Sequence, residues 1–124
     1  MKSVKQQAIE VVMTYERKQG RKPKDVHTLR KGYDIESDNR LIEVKGQSKK
    51  RPGSIWINKT ILKKLGKGVM QYHVYIVYGL NADESRSVPK IKILPPALIF
   101  SNLQIDTVYL ISAKAVSSGV DAKL

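Results

Sequence analysis

The stretch GYDIESDNRLIEVKG, residues 32–46, decides how this chain folds. Apolar and polar residues alternate through Tyr33-Asp34-Ile35-Glu36, pause at Asp38-Asn39, and alternate again through Leu41-Ile42-Glu43-Val44-Lys45. A period of two on both sides of a turn predicts a β-hairpin. A two-residue loop at Asp38-Asn39 sets Ser37 opposite Arg40, Ile35 opposite Ile42 and Asp34 opposite Glu43. Tyr33, Ile35, Ile42 and Val44 then share one face of the sheet, and Asp34, Glu36, Glu43 and Lys45 share the other.

Directly opposed side chains have Cβ atoms about 4.5–5.5 Å apart, and two carboxylates at that distance repel. Such a pair needs a cation. Lys45, two residues from Glu43 on the same face, supplies one. A divalent metal supplies a better one, because Mg²⁺ takes hard oxygen donors and usually only one or two carboxylates, filling its octahedron with water and phosphate oxygens. Asp34, Glu43 and the backbone carbonyl of Val44 make a suitable set. A metal held there lowers the pKa of a bound water and polarises a phosphodiester, while Lys45 holds the hydroxide or offsets charge that builds in the transition state. No covalent nucleophile is needed, in keeping with a chain that has no Cys and no evident Ser-His arrangement. The plainer alternative is the wet face of an exposed strand, where Asp, Glu and Lys are common. The register, two flanking basic loops and the order of the neighbouring elements favour the site.

Outward from the hairpin, residues 3–19 carry Val4, Ala8, Val11, Val12 and Tyr15 at helical spacing, stopped by Gly20 with Pro23 beyond. Residues 20–31 read as a basic loop, and residues 46–53 as a second one, broken by Pro52 and Gly53. Ser54–Ile57 reads as a short strand leading to Asn58, an N-cap for a short basic helix over residues 59–66. Residues 72–79, YHVYIVYG, predict a buried strand. A polar loop over residues 80–88 follows, then strands at Lys90–Leu94 and Thr107–Ile111 separated by a segment marked by Pro95 and Pro96. The closing residues, with Ser117, Ser118 and Gly119, read as a partly mobile tail.

Composition narrows the function classes. A length of 124 residues fits a single domain, spanning residues 1–124. With 23 Lys and Arg against 11 Asp and Glu, the net charge is +12, which favours a polyanionic partner, nucleic acid above all. Without Cys there are no disulfides, thiolate chemistry or Cys-based zinc sites. No apolar run has the length of about 20 residues that a membrane helix needs, and residues 1–10 lack the apolar core of a signal peptide. A soluble cytoplasmic protein is the expectation.

The order helix, hairpin with D…ExK, strand, helix, strand resembles the core of the restriction-endonuclease-like, or PD-(D/E)XK, fold, an α/β architecture in which helices flank a central mixed β-sheet and which includes archaeal Holliday junction resolvases. More closely, the chain resembles an uncharacterised domain family named for the C-terminal region of the plant NO VEIN protein, whose members often sit beside helicase or ATPase modules. The resemblance rests on AIEVVMTYERKQGRKPKDV (8–26), GYDIES (32–37), IEVKG (42–46), YHVYIVYG (72–79) and KIKILPP (90–96). It departs from better-known members of the superfamily in one respect: Tyr33, not Pro, precedes Asp34.

The resemblance implies a Mg²⁺- or Mn²⁺-dependent deoxyribonuclease of repair, restriction or defence, with metal ligands Asp34, Glu43 and Val44 and with Lys45 as the catalytic lysine. Related nucleases also place an acid of the first helix near the metal, and Glu16 is the candidate. Many of them cleave as homodimers. Glu36 lies on the acidic face but farther from Lys45, and Gln47 extends the Lys45 face toward a phosphate or a water. Arg21, Lys22 and Lys24 in one loop, with Lys49, Lys50 and Arg51 in the other, are the candidates for phosphate contacts, which give salt-dependent affinity and little sequence selectivity. Trp56 alternates with Ile55 and Ile57 and so reads as facing outward, where covering a sheet face is favoured over stacking on a base, and His27 and His73 lack partners at metal-ligand spacing. Two rivals stand beside the nuclease reading: an inactive nucleic-acid-binding module, and a protein-interaction domain partnering a helicase or ATPase.

Overall fold

The computed structural model describes residues 2–80, 88–101 and 108–124, apart from the side chains of 58–61 and 108–110. The polar loop expected over residues 80–88 therefore lies largely outside the described residues, as does Thr107.

Helix α1 spans Val4–Lys18. Ser3 caps it: its hydroxyl accepts from the Gln6 amide N–H, while the Gln6 side chain accepts from the Ser3 N–H, a reciprocal box that satisfies two orphan donors. Ala8, Ile9, Val12 and Tyr15 form its buried stripe. The hairpin follows as β2 (Ile35–Ser37) and β3 (Arg40–Gly46), and its register sets Ile35 opposite Ile42 and Ser37 opposite Arg40, as the turn chemistry requires. Asp38 takes a left-handed φ of 50° at the turn, a conformation that Asp adopts more readily than most residues.

The basic loop between α1 and the hairpin holds an unforeseen element. Strand β1, Pro23–Asp25, pairs antiparallel with β2 and forms an edge of the sheet. Pro23 stands first in the strand and Lys24 is exposed on it, the composition that edge strands tolerate. Three residues without an apolar alternation leave no period to read.

Beyond the hairpin come β4 (Ile55–Asn58), α2 (Lys59–Leu65), a 3₁₀ turn at Gly66–Gln71, β5 (Tyr72–Tyr78), β6 (Lys90–Leu94), α3 (Pro96–Ser101) and β7 (Val108–Ile111). Asn58 ends β4 directly before α2; its side chain is outside the described set. The Pro-marked segment is a helix, with Pro96 at its first position, where a missing N–H costs nothing. The expected loose tail carries α4 (Ala113–Ser117) and β8 (Val120–Ala122), an edge strand on β6.

The main sheet runs β1-β2-β3-β5-β6-β8, with β4 and β7 forming a separate pair. Among the described residues, the β3–β5 pairing is the one parallel pairing in the main sheet. On one face α1 packs against Ile35, Ile42, Val44, Tyr75 and Val77. On the other, Val74 and Ile76 meet Ile55, Ile57, Ile99 and Val116. Both faces of β5 are thus covered, which explains its nearly unbroken apolar run. No helix among the described residues is long and apolar enough to cross a membrane.

Gly46, the last residue of IEVKG, sits where α1 crosses β3. A Cβ there would stand 2.8 Å from Val4 Cγ1, 3.0 Å from the Val4 carbonyl oxygen and 3.1 Å from Ala8 Cβ. Gly46→Ala is expected to push the helix off the sheet and to cost about 1–3 kcal/mol, read as a lower urea midpoint at unchanged slope.

Candidate active site

Strand β2 begins at Ile35, whereas β3 continues to Gly46, so the end of β3 extends past its hairpin partner. Asp34 serves the ladder positions that β2 does not reach. Its backbone N–H donates to the Ile42 carbonyl at 2.8 Å, and its carboxylate Oδ2 accepts from the Val44 N–H at 2.8 Å. The left-handed turn at Gly32, φ 93°, leads the chain into this position.

Glu43 meets Asp34 carboxyl to carboxyl. Burial pushes the Glu43 pKa up to about 7, helped by the hydrogen bond and negative charge of Asp34 and opposed by Lys45 and Lys5. Burial acts on Asp34 in the same sense, but hydrogen bonds from Glu43, Lys5 and the Val44 N–H outweigh it and hold Asp34 below the usual range. One proton shared by two acids is the arrangement that like charges in a desolvated site demand. Lys45 Nζ stands 3.4 Å from Glu43 Oε2. The Tyr72 phenol beside them is held protonated by burial and by both acids.

The pair has a signature in metal-free protein. Glu43 keeps a proton in the folded state that the unfolded chain gives up near pH 4.3, so its contribution to stability is lost as pH rises from there through about 7. Asp34, shifted down, acts with the opposite sign and below the ordinary carboxylate range. Urea denaturation between about pH 5 and about pH 7 should therefore show a declining Glu43 contribution, with a slope on the order of 1 kcal/mol per pH unit. Glu43→Gln should remove that slope.

The residue that completes the site was not among the sequence candidates. Lys5, on the first turn of α1, reaches across with Nζ 2.7 Å from Asp34 Oδ2 and 3.8 Å from Glu43 Oε1, and it donates to the Val44 carbonyl oxygen. The signal was present: Lys5, Ile9, Val12 and Glu16 follow helical spacing along one stripe, so a lysine there points toward the sheet.

The other candidates divide. Glu16 is fully buried but is not brought to the acidic pair: Arg21 grips it with Nε at 2.6 Å and a terminal nitrogen at 2.7 Å, and the Tyr75 hydroxyl donates to it at 2.9 Å. Arg40 in turn donates to the Tyr75 hydroxyl at 2.6 Å. Burial alone would raise the Glu16 pKa, yet these donors hold it below the usual range. Arg21 is thereby committed to a structural pair and is not an open phosphate contact. Gln47 is likewise engaged. Its Oε1 accepts from the Gly53 N–H at 2.7 Å and its amide donates to the Gly53 carbonyl at 3.3 Å, tying the second basic loop together. Glu36 meets Lys31 and the Tyr33 hydroxyl. Lys22, Lys24, Lys49, Lys50 and Arg51 are exposed, as phosphate contacts must be. Trp56 is more than half exposed while Ile55 and Ile57 are buried, so it points away from the core that its strand covers. His27 contacts Asp25 and His73 the Gln71 carbonyl, both local bonds.

The donor set fits a hard divalent ion. Two carboxylates and one carbonyl oxygen already converge on a single cation, the Lys5 ammonium. Among the described residues no cluster of three or more His, Cys, Asp or Glu could hold a metal; with two carboxylates and one carbonyl in this set, an ion here would need water or phosphate oxygens to complete its shell, as Mg²⁺ commonly does.

A model of the family described as Protein NO VEIN, C-terminal, matches residues 4–93. The chain belongs to that family. The NO VEIN C-terminal match takes in Lys5, Asp34, Glu43 and Lys45 together. No curated protein sequence matches the chain. Among solved structures it is similar to Archaeoglobus fulgidus Hjc, a Holliday junction resolvase from an archaeal hyperthermophile, with a TM-score of 0.64 and 14% identity over 96% of this chain and 92% of that one. At that identity the likeness concerns the fold, which is restriction-endonuclease-like.

Proposed function

We propose that this chain is a nuclease domain that hydrolyses phosphodiester bonds in DNA with a bound Mg²⁺ or Mn²⁺ ion. The observation that carries this reading is the convergence of Asp34, Glu43 and the Val44 carbonyl on one cation, with Lys45 beside Glu43, at the end of the hairpin where β3 runs past β2. Asp34, Glu43 and the Val44 carbonyl would hold the ion. The ion, when bound, supplies Lewis-acid polarisation of the phosphate and a water of lowered pKa. Asp34 is oriented for its part by the Val44 N–H. Glu43 would have to release its proton to solvent to hold the ion, since coordination needs the carboxylate. Lys45 stabilises the negative charge that builds on the phosphoryl oxygens or steadies the attacking hydroxide. Exposed Lys22, Lys24, Lys49, Lys50 and Arg51 grip the DNA backbone without reading its sequence.

A second reading has an observation of its own. Lys5 already neutralises the acidic pair, as befits a module that binds nucleic acid without cutting it. Incubating the protein with supercoiled plasmid and with a synthetic four-way junction, each in Mg²⁺, Mn²⁺ or chelator, separates the two. Metal-dependent nicking that Lys45→Ala suppresses supports the nuclease. Salt-sensitive retention of DNA with no cleavage in any metal favours the binding module.

A further inference from the structure

Lys5 stands where the proposed metal would stand, and that coincidence has consequences for both. Its ammonium contacts all three groups of the donor set: Asp34 Oδ2, Glu43 Oε1 and the Val44 carbonyl. The backbone that carries it is anchored. Ser3 caps the helix one residue before Val4, and Val4 and Ala8 press on Gly46. The side chain itself is free to leave, being 42% exposed, with a flexible four-carbon stem and a strongly hydrated tip. It differs in this from Arg21, whose planar fork is bound twice by a fully buried carboxylate.

We propose that Lys5 is a built-in counter-ion of the acidic pair that competes with the divalent ion for the same oxygens and thereby sets metal affinity. The inference rests on the metal-site reading above. In the metal-free protein the ammonium offsets the charge of two apposed acids. When a divalent ion enters, the ammonium swings outward to solvent, where it remains within reach of an incoming phosphate. Removing its charge should then act with opposite signs on two quantities: affinity for metal rises because a competitor is gone, and the metal-free fold weakens because the acids lose their partner. A bystander lysine would move neither. A lysine that positions the ligands for the metal would, when removed, weaken metal binding.

The test is calorimetric titration of MnCl₂ into the full chain at constant ionic strength, for wild type, Lys5→Met, Lys5→Gln and Asp34→Ala, with melting curves taken with and without Mn²⁺. Lys5→Met is expected to bind Mn²⁺ about tenfold more tightly than wild type. It should melt at a lower temperature without metal and gain more from Mn²⁺. Lys5→Gln, which keeps a polar side chain, should shift the same way and gives the answer should the methionine variant fold poorly. Wild-type binding that Asp34→Ala abolishes, with Lys5 variants binding no tighter than wild type, overturns the competition alone. Failure of wild type and both Lys5 variants to bind Mn²⁺ overturns the metal-site reading and the competition with it.

Discussion

Asp34→Ala is expected to lower metal-dependent DNA cleavage by at least about a thousandfold, the scale on which a preorganised electrostatic group acts at a reacting phosphate. The substitution removes a ligand, and it does more. It strips the Val44 N–H of its acceptor and Lys5 of its nearest carboxylate. A buried donor without a partner costs about 1–3 kcal/mol, so the variant should melt lower while remaining folded. Asp34→Asn distinguishes the two contributions. Its amide oxygen still accepts from the Val44 N–H, so most of the stability should return, whereas the anionic ligand is absent and cleavage should stay at the alanine level. Quantified plasmid nicking set beside urea titrations of the same samples checks both. Cleavage that recovered in step with stability would assign Asp34 to the fold alone.

Glu16→Ala is expected to cost about 3 kcal/mol of stability. The carboxylate is fully buried, and its removal leaves the Arg21 guanidinium and the Tyr75 hydroxyl facing each other without the group that satisfies both. Arg21 keeps 22% of its side-chain surface, so water relieves part of the penalty and the low end of the range for a broken buried pair applies. Replacing Glu16 and Arg21 together by apolar residues of similar size should recover much of the loss. A double-mutant cycle in urea measures the coupling. DNA binding and metal affinity should be unchanged in the single variant, because this network is separate from Asp34 and Glu43.

The two acidic residues illustrate what a sequence can disclose. Asp34 and Glu43 were legible because a hairpin has a period of two and a turn that fixes register: once Asp38-Asn39 is read as the loop, pairing of Ile35 with Ile42 follows, and the acids beside them are brought together. Glu16 shows the limit, because helical spacing gives the direction of a side chain and not its partner. The stripe points Glu16 into the protein, but only the fold tells that Arg21 and Tyr75, far apart in the chain, arrive there first. Lys5 lies on that same stripe one residue past Val4, and a lysine so near a helix start reads as surface charge until the sheet is in place. Strand β1 and helix α3 were hidden for a related reason: three residues and six are too few for a period, and each is held by neighbours distant in sequence.

Diffraction from crystals soaked in Mn²⁺, recorded for anomalous scattering, decides whether an ion occupies the Asp34–Glu43 site. One strong peak is expected, bonded to carboxylate oxygens of Asp34 and Glu43 and to the Val44 carbonyl at about 2.0–2.3 Å, with the Lys5 ammonium displaced from those oxygens. A saturating soak that leaves Lys5 on Asp34 and Val44, with manganese elsewhere or nowhere, would contradict the metal-site reading.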